Sequence, residues 1–166
     1  MEPQTVRIVF KLDAADWHAH ASERLWADPV EGSDRSDLFQ VKNRPFLTSS
    51  VSFMDVVRAE RNQDQEFEFR ELVLVGGHST YMVLEPIENK EPSGKLKSLL
   101  ELGCDFESTR IRVAMGEMNL YSLDVPPLVD IYKVFDVLQV GEDSGDFLFQ
   151  QGHVGHKLRG SRRSAV

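Results

Sequence analysis

Val6, Ile8, Phe10 and Leu12 fall on one side of a period-2 repeat, which predicts a half-buried strand near the start of the chain. Asp13 is placed to cap the next element. Trp17, Ala21 and Leu25 then recur at i, i+4 and i+8, the spacing of a short amphipathic helix that stops before Pro29. From residue 38 to residue 84 the period-2 rhythm returns. Phe39 and Val41 alternate with Gln40 and Lys42, and Val51 with Phe53 continues the pattern after Pro45. Residues 56–58 and 67–75 read as further strands around the turn Asn62-Gln63-Asp64-Gln65. Gly76-Gly77 supplies the positive φ angles of a tight hairpin turn before a strand at 80–84.

The rhythm changes at Glu85-Pro86. Ser93 reads as a helix cap, Leu96, Leu99 and Leu100 as a buried stripe, and Gly103 as the residue after the helix end. Strands are next expected at 106–113 and 120–125. Pro126-Pro127 opens a second helix with Leu128, Ile131, Phe135 and Leu138 on its buried face and Gly141 at its end, and a last strand covers 147–150. The predicted class is α+β. A small curved sheet or partial barrel with one short helix (1–85) packs with a ferredoxin-like split βαβ half (86–156), whose first strand comes from 80–85. A basic, flexible tail (157–166) ends the chain.

Composition narrows the class of protein. At 166 residues, 41% apolar and 28% charged, the chain has ordinary globular proportions. Cys104 is the single cysteine, which excludes a disulfide framework. The N-terminus lacks a basic stretch followed by an apolar one, so no secretory signal is expected. The longest apolar runs, about four residues as at 72–75, fall far short of a membrane span. A cytoplasmic protein without membrane contact is expected.

The formal charge of −8 is unevenly spread. Lys157, Arg159, Arg162 and Arg163 lie in the last ten residues with no acid, so subtracting those four cations leaves the body at −12. Such a body repels phosphate backbones, which disfavours nucleic-acid binding except through the 157–166 tail. The plainer reading of that tail is a solvated terminus.

Particular stretches carry a resemblance: the strand at 6–12, then Glu23-Arg24-Leu25-Trp26-Ala27, Asn43-Arg44-Pro45-Phe46, residues 51–57, Gly77-His78-Ser79-Thr80, Leu102-Gly103-Cys104, and residues 120–126. In order and spacing, over roughly residues 5–156, the chain resembles the bacterial domain-of-unknown-function family 4265. That pattern favours Gly where Met54 stands, a departure that bears on the turn there and not on the fold. The resemblance implies no activity.

The residues able to carry chemistry are few. Gly76-Gly77-His78-Ser79-Thr80 sets an imidazole beside two hydroxyls, but in a strand His78 and Thr80 share a face while Ser79 points to the other. A triad would need an acid from elsewhere, and Asp55 is the one the resemblance points to. Cys104 comes after a helix C-terminus, which disfavours the thiolate, and reads as a small buried hydrophobe. His153 and His156 converge on a metal only in a helix, which Gly152 and Gly155 oppose, and His18 and His20 diverge by about 200° on a helix. No metal and no cofactor are therefore expected. Glu66 and Glu68 share a strand face, as a paired-acid site or, more commonly, a solvated surface. Trp17 and Trp26 lie on opposite sides of the predicted helix, so one packs inward and the other is free for a contact.

Two readings remain open. In the first, the protein is a non-enzymatic binding or regulatory protein whose acidic surface engages a basic protein, as an immunity protein neutralising a basic toxin does. Trp17, Trp26, Glu66 and Glu68 are its contact candidates. In the second it is a small hydrolase or transferase using His78 with Asp55 and a hydroxyl from Ser79 or Thr80.

Overall fold

The computed structural model describes residues 4–159. The alternation at the start forms β1 (Val6–Lys11), which pairs antiparallel with β2 (Ser22–Pro29) over six residues of each. The helix expected across residues 17–25 is not formed. Asp13 caps a turn instead, its carboxylate accepting from the Ala15 N–H at 2.9 Å, and Ala19 stands at φ 57°. Leu25 belongs to a different periodicity, with Ala27 two residues on, and both point into the barrel core. A long ladder with β1 satisfies more backbone groups than an isolated two-turn helix, whose nucleation is costly.

β3 (Leu38–Val41), β4 (Val56–Arg61) and β5 (Phe67–Leu74) continue the antiparallel sheet. Register shifts at Val56/Val57 and Arg58/Ala59 bend β4 against β5. The bend brings β5 beside β1, where Ile8 and Val9 pair in parallel with Phe67 and Glu68 and close the barrel. Ile8, Phe10, Leu25, Ala27, Phe39, Val41, Val51, Val57 and Ala59 fill it. The strand expected at Val51 and Phe53 is replaced by a folded loop, residues 42–55. Val51 fills the barrel from it, and at its end Met54 N–H donates to Val41 O at 2.9 Å.

Gly76-Gly77 makes no hairpin, because β5 and the next strand lie in different sheets. A Cβ on Gly76 would stand 2.6 Å from the Met54 carbonyl oxygen, so a glycine lets two backbone segments touch where the chain leaves the barrel.

The second sheet comprises β6 (Ser79–Pro86), β7 (Asp105–Val113), β8 (Gly116–Val125) and β9 (Leu148–Val154) in the order β7-β8-β6-β9, every neighbouring pair antiparallel. Helices α1 (Gly94–Glu101) and α2 (Ile131–Asp143) intervene. Alternation along β6 and β8 gives the sheet two working faces. Tyr81, Val83, Tyr121, Leu123 and Val125 pack under Leu96, Leu99, Ile131, Val134 and Leu138 of the helices. Met82, Leu84, Ile111 and Leu120 turn the other way, against Trp17, Phe46 and Leu47 of the barrel loops.

Helix α1 starts where Ser93 predicts, its Oγ accepting from the Leu96 N–H, but Leu100 is exposed. Helix α2 starts a turn later than Pro126-Pro127 suggests, capped by Asp130. Leu128 consequently sits in the loop, fully exposed, and Phe135 is exposed while Val134 takes the buried position. Gly141 lies inside the helix under the Phe147 ring, where any Cβ would collide with it. The expected basic tail is described only as far as Arg159, whose guanidinium lies 4.4 Å from the Tyr132 ring centroid; residues 160–166 lie outside the described residues. Among the described residues no helix is long and apolar enough to cross a membrane.

Met54 offers a test of the loop's backbone. It stands at φ 73°, a left-handed conformation costly for a side chain other than glycine. Met54→Gly is expected to raise the unfolding free energy by about 1 kcal/mol, and Met54→Val to lower it by about 1–3 kcal/mol. Urea titration of the two variants checks both signs.

Candidate functional site

Loop 42–55 lies over the barrel-side face of the second sheet, and Glu23 holds it there. Its carboxylate accepts the backbone N–H groups of Phe46, Leu47 and Thr48 at 2.8–3.1 Å. Burial nevertheless pushes its pKa upward, against those hydrogen bonds.

From the loop, Arg44 reaches the sheet. Its Nη2 donates to Asp105 and its Nη1 to Glu107, both at 3.0 Å, and its Nε stands 3.7 Å from Asp124 Oδ2. Asp105 lies opposite Asp124 and Glu107 opposite Ser122 in the β7–β8 ladder, so one guanidinium spans two strands. The other Asp124 oxygen meets His78 Nδ1 at 2.9 Å. Phe53 completes the group, edge-on to the His78 ring at 5.3 Å and beneath Arg44 at 5.1 Å. Burial raises the pKa of Asp124, while His78 and Arg44 lower it less strongly. His78 retains 15% side-chain exposure and Asp124 only 4%, so the imidazole is the part of the pair that solvent reaches.

Asp55 belongs to a second network. It accepts the Ser52 N–H at 2.9 Å and the Gly76 N–H at 2.7 Å, and stands 3.4 Å from His153 Nδ1. Ser52 Oγ donates to the His153 carbonyl at 2.9 Å, so Thr80 supplies the proton of the 2.7 Å hydrogen bond between the two hydroxyls.

Ser79 forms a third network. His156 Nε2 lies 2.9 Å from the Pro126 carbonyl, which can only accept, so Nδ1 of the neutral ring accepts from Ser79 Oγ at 2.6 Å. The same Oγ accepts the N–H groups of Gly155 and His156. This serine–histidine pair has the hydrogen bond of a nucleophile and its base, but Ser79 is fully buried and both its lone pairs are occupied.

The four residues expected to act together therefore fall into three networks, with Asp55 and Thr80 sharing one through Ser52. His78 pairs with Asp124 rather than Asp55, and the hydroxyls of Ser79 and Thr80 are bonded to His156 and Ser52. Asp124, Arg44, Ser52 and His156 are the partners that sequence reasoning missed. Asp124 has a signal in the chain, an acid in register with Leu120 and Ser122 at the end of a strand whose last six residues are buried.

The contact candidates are also placed. Trp17 is half-buried against the seam between barrel and sheet, whereas Trp26 is 47% exposed on the barrel wall beneath Arg7. Glu66 is held by Arg24 at 2.8 Å and Glu68 by Arg70 at 2.8 Å, so the two carboxylates are tied to different arginines. Among the described residues no group of three or more His, Cys, Asp or Glu side chains is arranged to hold a metal.

Cys104 is buried behind Asp124, and burial with that neighbouring charge pushes its thiol pKa up to about 12. The native protein should therefore react with a thiol reagent at pH 8 at least ~100-fold more slowly than the urea-unfolded chain. Equal rates in the two states would contradict this placement.

Comparison with known proteins adds kinship without chemistry. No curated protein matches the chain. A solved structure, described as the novel crystal structure of a hypothetical protein from Neisseria gonorrhoeae, is similar with a TM-score of 0.69 at 16% identity, covering 95% of this chain and 99% of that one. At that identity the likeness concerns the fold. The family described as a domain of unknown function, DUF4265, matches residues 23–149, and the chain belongs to that family.

Proposed function

We propose that this is a non-enzymatic binding or regulatory protein whose acidic body engages a basic protein, an immunity-type neutraliser of a basic toxin being one form of it. The observation that carries the reading is the separation of the chemically capable groups. Ser79 and Asp55 have no exposed surface and Thr80 has 1%, and each is held in hydrogen bonds within the fold. A nucleophile in that state has no route to a substrate without local unfolding.

Charge supplies the attraction. The body carries −12 once the four tail cations are set aside from −8. Residues 126–146 hold Asp130, Asp136, Glu142, Asp143 and Asp146 against Lys133 alone. Phe135 and Val140 are exposed on α2 among these acids, which gives a partner apolar contact as well as charge. We also read the second unit as a ferredoxin-like split βαβ arrangement, on the order β9-β6-β8-β7 with both helices packed on one face. In the cell the acidic body would work in the cytoplasm of a bacterium.

The hydrolase or transferase reading rests on His78 and its 2.9 Å contact with Asp124, an imidazole oriented by a carboxylate and open to solvent. Among the described residues no hydroxyl or thiol is hydrogen-bonded to that imidazole.

The test begins with a partner captured by the full chain from the native host and proceeds to stopped-flow association. The on-rate should fall at least ~10-fold between 10 and 150 mM salt, as the Debye length shortens to about 8 Å. Asp136→Lys with Asp143→Lys should slow association, and deleting residues 157–166 should quicken it. A salt-independent on-rate would remove the electrostatic basis of the reading. Loss of binding on deleting the tail would transfer the contact to that segment.

A further inference from the structure

A cleft of about 370 Å³ opens at one end of the seam between the barrel loops and the second sheet. Its walls are largely apolar: Trp17, Met82, Leu84, Met115, Leu148 and Phe149. Trp17 is fixed from behind by the edge-on His18 ring at 5.3 Å, and Met82 and Leu84 belong to the packed seam. One ionisable side chain, Glu142, lines the same cleft. Its Oε2 accepts the Phe149 N–H at 2.9 Å, which fixes the carboxylate in place. Among the described residues no cation lies within ion-pair distance of it, although arginines or lysines hold Glu60, Glu66, Glu68, Glu71, Glu91 and Glu107 elsewhere.

We propose that this cleft receives a lysine or arginine side chain of the basic protein partner, the aliphatic stem lying along Met82 and Leu84 and the cationic head on Glu142. The inference rests on the binding reading above and names the contact it would use. A purely apolar occupant would strip water from a carboxylate without replacing its hydrogen bonds. An anionic occupant would meet Glu142 and the charge of the body. A long side chain with an apolar stem and a positive end satisfies both parts of the cleft. Methionine at two wall positions adapts to either stem.

Small alkyl probes test the chemistry. Hexylammonium, hexanol and hexanoate are titrated into the full chain carrying Trp26→Phe, so that Trp17 alone reports by its emission. Hexylammonium should bind at least ~10-fold more tightly than hexanoate and several-fold more tightly than hexanol. Glu142→Gln keeps an oxygen for the Phe149 N–H and should erase that preference while leaving hexanol binding unchanged. Should that variant fold poorly, Met115→Lys puts a competing cation on a residue that is 62% exposed, and it should weaken hexylammonium at least ~10-fold. Equal binding of the three probes, or an unmoved Trp17 emission, would overturn the proposal. So would tenfold tighter hexylammonium binding after deletion of residues 157–166, since the chain's own basic terminus would then be the occupant.

The captured partner separates this inference from the reading beneath it. A partner whose salt-dependent association survives Glu142→Gln and Met115→Lys unchanged defeats the cleft and leaves the acidic surface standing. A partner whose on-rate ignores salt but whose complex dissociates at least ~10-fold faster with either variant defeats the electrostatic reading and leaves the cleft standing.

Discussion

The buried carboxylate of Asp124 is the constraint on which the joint between the two halves depends. It sits in the buried half of β8 with 4% of its side chain exposed, and burial alone would make its charge expensive. Arg44 and His78 offset that expense from opposite sides. Arg44 comes from the barrel loop, so the neutralisation of Asp124 is also what draws the loop onto the sheet. Asp105 and Glu107 accept hydrogen bonds from Nη2 and Nη1, while Nε faces Asp124 at ion-pair distance without a hydrogen bond, so one arginine answers three acids. Removing one member of such a buried set generally costs more than the set contributes, about 3–5 kcal/mol, because a charge is left behind.

Around that centre the seam mixes polar and apolar contacts in a definite arrangement. Met82, Leu84, Ile111 and Leu120 supply the apolar part, and Thr80, Ser122 and Asp124 the polar part, all on the face of the sheet turned toward the barrel. Each polar group of the sheet has a partner on loop 42–55: Thr80 with Ser52, Ser122 with the Pro45 carbonyl, Asp124 with Arg44. Apolar surfaces alone can slide over one another, whereas paired groups at fixed positions permit one docking of barrel on sheet. Glu23 and the turn at Met54 serve the same end by fixing the shape of the loop that carries those partners.

Period-2 alternation made most strands legible, since β1, β3, β4, β5, β6, β7 and β8 lie where they are expected. It failed where two periodicities overlapped. Trp17, Ala21 and Leu25 fit a helix by spacing, but Leu25 also alternates with Ala27, and the ladder to β1 decided between them. The second helix was misplaced by a turn because Pro126-Pro127 resembles a helix start, whereas Asp130 supplies the cap that closes one. Two of the blocks that carry the kinship, Asn43-Arg44-Pro45-Phe46 and residues 120–126, meet in the seam. What could not be read was pairing. His78 and Asp124 are 46 residues apart, and strand faces say which side a group takes without saying which distant loop will cover it.

Side chains of the types found in catalytic machinery are employed here in joining backbone. Ser79 and His156 show the distinction most sharply. Their hydrogen bond is the one a serine nucleophile makes with its base, yet the serine spends its lone pairs on the N–H groups of Gly155 and His156 and anchors the end of β9. A nucleophile needs a free lone pair directed at open space, and the packing around Ser79 leaves neither. His78 differs in having an exposed edge, but its carboxylate is already shared with Arg44, so the pair serves the seam before it can serve a substrate. Acids not drawn into such joints remain at the surface, where their excess makes the field that a basic partner would feel. The division of labour comes from position: Asp124 in the seam is paired within the fold, whereas Glu142 at the open end accepts the Phe149 N–H and has no cation at ion-pair distance among the described residues.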